Sequence, residues 1–400
     1  MFTIIYPLRR WAIETAVCLC ISIGTVYAVP PTPVPWNGTL PAAAAPISEP
    51  ATETIPEAQA KASQPAAPNK STLENKLRQA AARYSNMEIG IAVTDISDGE
   101  HAEIRGDRSF PMASAFKLPV MIEAARQMQE GTNGLSLSSL LTITSRTKCI
   151  GSGDMASLPD GSTVSMRQAI EKMITISDNT ATDTLLDAIG KSSVNRLLID
   201  HGLTHSSVYL TNREAWLLSL RRGVPHGESI NSFLSYWNSL SYQQKCALAD
   251  SVGEKYADTS LKQIQAWEDA SAKQETEAQS MAIAAAVDNY GSPNDYNRLL
   301  IKLWKRQILS EEWTSYCLGV LGRQRYNSRI PGLLPKGTKV YHKTGTIAGV
   351  VNDTGIMMAG SHPVAISVFV DKVKDKHTSA AQKAIQELSL IAYKHCASKQ

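Results

Sequence analysis

Strand-like alternation lies near the two ends of the folded part of this sequence, with a long helical stretch between, so any sheet must be assembled from distant segments. Glu88 to Asp95 alternates like a strand, Asp98-Gly99 offers a turn, and Glu100 to Ile104 can return as its hairpin partner. Strand character returns at Lys339 to Thr346, Val350 to Ala359 and Val364 to Asp371, joined by short loops suited to an antiparallel meander. From Ala113 to about Leu300 the apolar spacing is helical, with Gly- and Ser-rich breaks such as Gly151 to Gly153. Ser71 can cap a first helix, with Glu74 closing a capping box, and Ala380 to His395 reads as a closing helix. This arrangement predicts an α+β fold: an antiparallel sheet with terminal helices, an all-helical lobe, and a cleft between them.

The rest of the chain precedes this domain. Arg9 and Arg10 open an apolar run, interrupted by Glu14, that ends in Val26-Tyr27-Ala28, the order of a signal peptide over residues 1–28. Left uncleaved, the run approaches the roughly 20 residues a membrane helix needs and would act as an anchor. Either reading exports the remainder, to the periplasm or the medium. Neither Cys18 nor Cys20 follows a small residue as a lipoprotein signal requires. Residues 29–70 are rich in Pro, Ala, Ser and Thr, a composition that cannot offset chain entropy by burial and reads as a tether. The catalytic domain is therefore expected over 71–400.

A net charge of +3 over 400 residues gives no field that would gather nucleic acid. The six cysteines form no C-x-x-C pair and no Cys/His cluster at ligand spacing, so no metal and no other cofactor is expected. Export favours pairing of Cys149, Cys246, Cys317 and Cys396, but a domain of this size has core enough without a staple, and none is expected to serve catalysis.

Chemistry enters at Ser114-Ala115-Phe116-Lys117, where a serine and a lysine stand one helical turn apart at the start of an apolar run. A free serine hydroxyl is a weak nucleophile, and a neighbouring amine with a pKa lowered by desolvation can take its proton. Alone, the pattern reads first as a helix cap beside a solvated lysine. Two further motifs follow in order, Ser177-Asp178-Asn179 and Lys343-Thr344-Gly345. The trio resembles the mark of class A β-lactamases and penicillin-binding proteins, over about Ser71 to Gln400.

That resemblance implies the β-lactamase/D,D-peptidase-like version of the predicted fold and a role for each motif residue. Ser114 would attack a carbonyl, Lys117 would hold its proton, Ser177 would relay a proton to the leaving nitrogen, and Asn179 would bind the substrate amide. Lys343 and Thr344 would meet the substrate carboxylate, and Gly345 would let the strand approach the ligand. The N–H groups of Ser114 and Thr346 would form the oxyanion hole.

The sequence departs from the pattern at three places. The strand after Gly345 lacks the family's arginine; Arg329, upstream of Leu334-Pro335-Lys336-Gly337, is either its replacement or a solvated loop residue. Glu214 stands where class A enzymes carry the deacylating glutamate, but it also closes a T-x-x-E capping box with Thr211. Leu218 occupies the place of the asparagine that helps hold the water. Residues 223–286 look like a helical insertion, either a solvated elaboration, a substrate wall or a docking surface.

The leading expectation is a serine β-lactamase working through a Ser114 acyl-enzyme. The alternatives are a D,D-peptidase or transpeptidase acting on peptidoglycan peptides, and a penicillin-binding sensor that acylates without turnover. A monomer whose partner is a small-molecule substrate follows, with no nucleic acid and with membrane attachment only through an uncleaved leader.

Overall fold

A computed structural model describes residues 72–399. The leader and tether readings lie outside the described residues, as does Ser71 of the first capping box. The chain opens with α1 (Thr72–Ala82), β1 (Glu88–Asp95) and β2 (His101–Ile104), then a two-residue strand β3 (Phe110–Pro111). A 3-10 turn, Ala113–Phe116, leads into α2 (Lys117–Gln129). The short strands β4 (Leu140–Thr142) and β5 (Thr163–Ser165) precede α3 (Met166–Thr175), α4 (Asn179–Ile189), α5 (Lys191–Asp200) and α6 (Asn212–Ser219). Four further helices follow: α7 (Ile230–Ser239), α8 (Tyr242–Lys255), α9 (Leu261–Ala272) and α10 (Glu277–Ala286). The chain then runs through β6 (Tyr290–Gly291), α11 (Pro293–Trp304) and α12 (Glu311–Leu321) to the meander β7 (Val340–Ile347), β8 (Gly349–Ala359) and β9 (His362–Val373), and closes with α13 (Thr378–Ala397).

The main sheet has the order β2-β1-β9-β8-β7, and all its pairs are antiparallel. Its two ends of sequence meet where β1 pairs with β9, Ile91 opposite Val368. The α+β architecture is the one the distant strand patterns predict. One sheet face packs on the terminal helices through Leu73, Leu77, Ile385 and Leu388, set against Ile91, Val93, Ile366 and Val368. The second core belongs to the helical lobe and is centred on α2, which is buried along nearly its whole length. α2 is an interior helix although it holds polar side chains, and it buries Lys117, Glu123 and Gln127 there.

The insertion has a core of its own. Phe233, Trp237, Val252, Ile264 and Ile283 from α7–α10 close over Leu217 and Leu218 of α6. Its neck is pinned: the Asn289 amide accepts from the N–H of Tyr209 and Leu210, both at 2.9 Å, and donates to Leu210 O at 3.0 Å. On α10, Met281 lies against Gly349, where a Cβ would come within 3.0 Å of it, so this helix braces the turn between β7 and β8. Arg213 ties α6 to the insertion, donating to the carbonyls of Tyr256 (2.8 Å) and Thr259 (2.6 Å). Among the described residues no helix is long and apolar enough to cross a membrane, and the four cysteines Cys149, Cys246, Cys317 and Cys396 are unpaired.

Candidate active site

Ser114 sits in the 3-10 turn before α2, half-buried, directly after Ala113, whose φ is +45°. A non-glycine residue there is strained and needs neighbours to hold it. Asp288 does so by accepting Ala113 N–H at 2.5 Å, and Asn289 O accepts Met112 N–H at 2.8 Å. Burial raises the Asp288 carboxyl to about 7.

One turn on, Lys117 is fully buried. Its Nζ donates to Ser177 O at 2.6 Å and to Asn179 Oδ1 at 2.7 Å, and it lies 3.3 Å from Ser177 Oγ. Burial lowers its pKa to about 8, against the pull of the Asp178 and Asp183 charges. A neutral amine has two hydrogens and a lone pair. The two short bonds use both hydrogens, which leaves the lone pair for a serine proton.

Ser177 is held at φ +60° between α3 and α4, the left-handed region unusual for serine. Asp178 explains how: as N-cap of α4 it accepts Ala181 N–H at 2.8 Å, while its other oxygen accepts the N–H of Asp154 (2.7 Å) and Met155 (2.9 Å). The Gly151–Gly153 loop is thereby clamped beside the site, and Ser152 Oγ donates to Ser177 O at 2.6 Å. Asn179 Nδ2 donates to Ile150 O at 2.9 Å.

From the sheet side, Lys343 Nζ donates to Ser177 Oγ at 3.0 Å and to Thr344 O at 2.8 Å. Burial pushes Lys343 well below its usual value, and the nearby Lys117 adds to the effect. Two lysines from different lobes thus bracket one hydroxyl. As acceptor from Lys343, Ser177 Oγ keeps its own hydrogen to give away. β7 is the edge strand of the sheet and Thr346 on it is exposed, so a ligand can approach this edge. Gly345 is required by space: a Cβ there would lie 2.5 Å from Met112 O and 3.1 Å from Ser114 N. The sheet therefore closes directly on the turn that carries Ser114.

Arg329 is buried and not a solvated loop residue. Its Nη1 donates to Gly345 O at 2.8 Å and Asn352 O at 2.5 Å, and its Nη2 bonds Thr346 Oγ1. Burial lowers its guanidinium to about 10, with Asp353 opposing. It stands along the strand that carries Lys343, Thr344 and Thr346.

The structure does not bring Glu214 into this cluster. Its carboxylate accepts Thr211 N–H at 2.8 Å in a complete capping box, and Lys191 Nζ donates to both oxygens at 2.8 and 2.7 Å. Leu218 is buried in the insertion core. The α6 N-terminus is instead fixed to the site by Asp183, which lies four residues past Asn179 on α4. It accepts the N–H groups of Asn212 and Arg213 and the Asn212 side-chain amide, each at 2.8 Å, and burial raises its pKa to about 7. Nothing in the spacing of Asp183, Asp288 or Ser152 marks them in the sequence, because their partners lie far along the chain.

The comparisons with known proteins agree with this arrangement. The profile of the Beta-lactamase enzyme family matches residues 72–396. The β-lactamase VEB-1 of Pseudomonas aeruginosa is 24% identical over 340 residues, 82% of this chain and 90% of that protein. Among solved structures, PBP-A superposes with a TM-score of 0.59 at 21% identity, covering 82% of this chain and 96% of its own. The extended-spectrum β-lactamase TLA-3 gives 0.59 at 18% identity, covering 82% and 98%. With the fold and the three motifs brought together around Ser114 and Ser177, the chain belongs to the Beta-lactamase enzyme family.

Proposed function

We propose that this protein is an exported serine β-lactamase with slow turnover, opening β-lactam rings through an ester on Ser114. The carrying observation is the bracketing of Ser177 Oγ by Lys117 and Lys343 beside the Ser114 turn. Neutral Lys117 takes the Ser114 proton as Oγ attacks the carbonyl, and the N–H groups of Ser114 and Thr346 receive the oxyanion. Ser177 gives its proton to the departing nitrogen and recovers one from Lys117. Asn179 holds the substrate amide, while Lys343, Thr344 and Arg329 take the carboxylate, whose charge restores the protonated state that burial disfavours in Lys343. Acylation of a PBP-A variant by penicillin G supports this reading by analogy.

Release of the acyl group is the weaker step. Glu214 is spent on Thr211 and Lys191, so activation of water falls to Lys117, and a water held poorly in line can cost about 10²-fold in rate. The same observation favours a second reading, a D,D-peptidase or transpeptidase acting on peptidoglycan peptides, in which an amine or slow water accepts the acyl group. Nitrocefin turnover by the full chain, set beside release of D-alanine from a D-Ala-D-Ala peptide, tests both. A labelled penicillin that attaches anywhere but Ser114 refutes the mechanism.

A further inference from the structure

β7 carries more than its Lys-Thr-Gly motif. His342, directly before Lys343, is buried, and its Nδ1 donates to Asp353 Oδ1 at 2.9 Å, within 3.0 Å of Oδ2. Asp353 is buried on β8, opposite Thr344 in the register, so the two side chains share a sheet face. A bare carboxylate beside Thr344 would repel a substrate carboxylate. Yet Asp353 also accepts Ile330 N–H at 3.0 Å, the amide that follows Arg329. The other nitrogen of His342 lies 3.1 Å from Asn327 Oδ1, and that amide is oriented by its Nδ2 donating to Gln324 O at 3.1 Å. One acid and one imidazole thus hold residues 327–330 against the sheet at two points. Arg329 lies between those points, with Asp353 the acidic group that draws on its charge.

We propose that Asp353 and His342 are a positioning pair for substrate-carboxylate recognition: together they lock the Arg329 segment along β7, and His342 offsets the Asp353 charge beside Thr344. The pair touches no reacting atom. The inference rests on the acylation reading above and deepens it. If the pair only supplied charge, removing the acid would strengthen binding of an anion; if it positions, removal weakens it, because Arg329 loses its register.

The test uses the full chain and a fluorescent penicillin, together with the methyl ester of the same penicillin. Asp353→Asn is expected to raise the penicillin concentration for half-maximal acylation about tenfold, the scale of a misplaced charge-assisted hydrogen bond. The limiting acylation rate should stay within about twofold, and the ester should react as with wild type. His342→Gln, which leaves the acid in place, should move the penicillin value in the same direction. Tighter or unchanged penicillin binding in Asp353→Asn overturns the proposal, as does an equal loss for acid and ester. Should the wild type take no penicillin at all, the acylation reading falls, and ¹⁵N resonances of the Arg329 guanidinium then decide this inference. They should exchange slowly in wild type and fast in either folded variant; slow exchange retained in His342→Gln overturns it even if Asp353→Asn does not fold.

Discussion

Lys191 Nζ, at the start of α5, donates to both carboxylate oxygens of Glu214, at 2.8 and 2.7 Å, and to Asp250 of the insertion at 2.8 Å. The glutamate therefore faces the junction of three helices and not the lysines of the cleft. Glu214→Gln is expected to acylate and hydrolyse nitrocefin at the wild-type rate. Glu214→Ala should cost about 1 kcal/mol of stability through the lost cap, somewhat more where the Lys191 pair is also lost. Stopped-flow kinetics and urea titration check this; a Gln variant that acylates and then stalls would return Glu214 to the role of deacylating base.

Ser114→Ala should abolish covalent penicillin labelling and leave the melting temperature within a few degrees, since the hydroxyl is half-buried and stabilises no element. Intact-mass spectrometry reads the adduct, and calorimetry reads the fold.

Lys117 must be neutral to take a proton, and burial sets its pKa at about 8. Deprotonation increases with pH, so the acylation rate constant should climb about tenfold per unit below 8 and level off above it. Labelling rates measured from pH 6 to pH 9.5 test this, and a flat profile removes Lys117 as the base.

Asp288 titrates at about 7 in the fold against 3.8 as a free carboxyl. A raised carboxyl pKa means that the folded state binds the extra proton. Its contribution to stability is full below about pH 4 and is lost as pH rises through about 7. Asp288→Asn, which keeps an acceptor for Ala113 N–H, should flatten that part of the profile in thermal melts between pH 4 and pH 8. A slope identical to wild type would count against this assignment.

Arg329→Ala should weaken acylation by a carboxylate-bearing penicillin by about 1.5–3 kcal/mol. It should also lower stability by about 1–3 kcal/mol, because Gly345 O and Asn352 O lose a buried donor. Kinetics and chemical denaturation on the one variant separate the two effects; unchanged acylation would leave Arg329 a structural residue.

The sheet was legible because β1 alternates Ile89, Ile91 and Val93 with smaller or polar residues, and because β1, β7, β8 and β9 each run eight or more residues. Strands β3 to β6, of two or three residues, were not, because their pairing is set by tertiary contacts. In the site, Ser114 and Lys117 announce each other through one helical turn, and the other two motifs announce themselves by composition. What spacing does not reveal is where a side chain's partner lies. Lys191 is 23 residues before Glu214, and Asp353 is 11 after His342, so neither bond has a local signature. The burial of Arg329 was hidden for the same reason: an arginine in a Pro/Gly-rich loop reads as solvated until the strand carbonyls that receive it are located.

The Asn289 clamp on Tyr209 and Leu210 has a consequence for how the sequence can change. With both strands of the neck fixed to each other, the segment between is a closed loop whose ends do not depend on its length. The entropy of closing such a loop grows only with the logarithm of its size, about 0.6 kcal/mol per doubling. A graft that shortens or replaces residues 223–286 and keeps Asn289 should leave the Ser114 turn in place, while a single Asn289→Ala change should open it. The clamp sets the ends of the insertion independently of its length, and a replacement has only to cover Leu217 and Leu218 and to receive Arg213 as the native helices do.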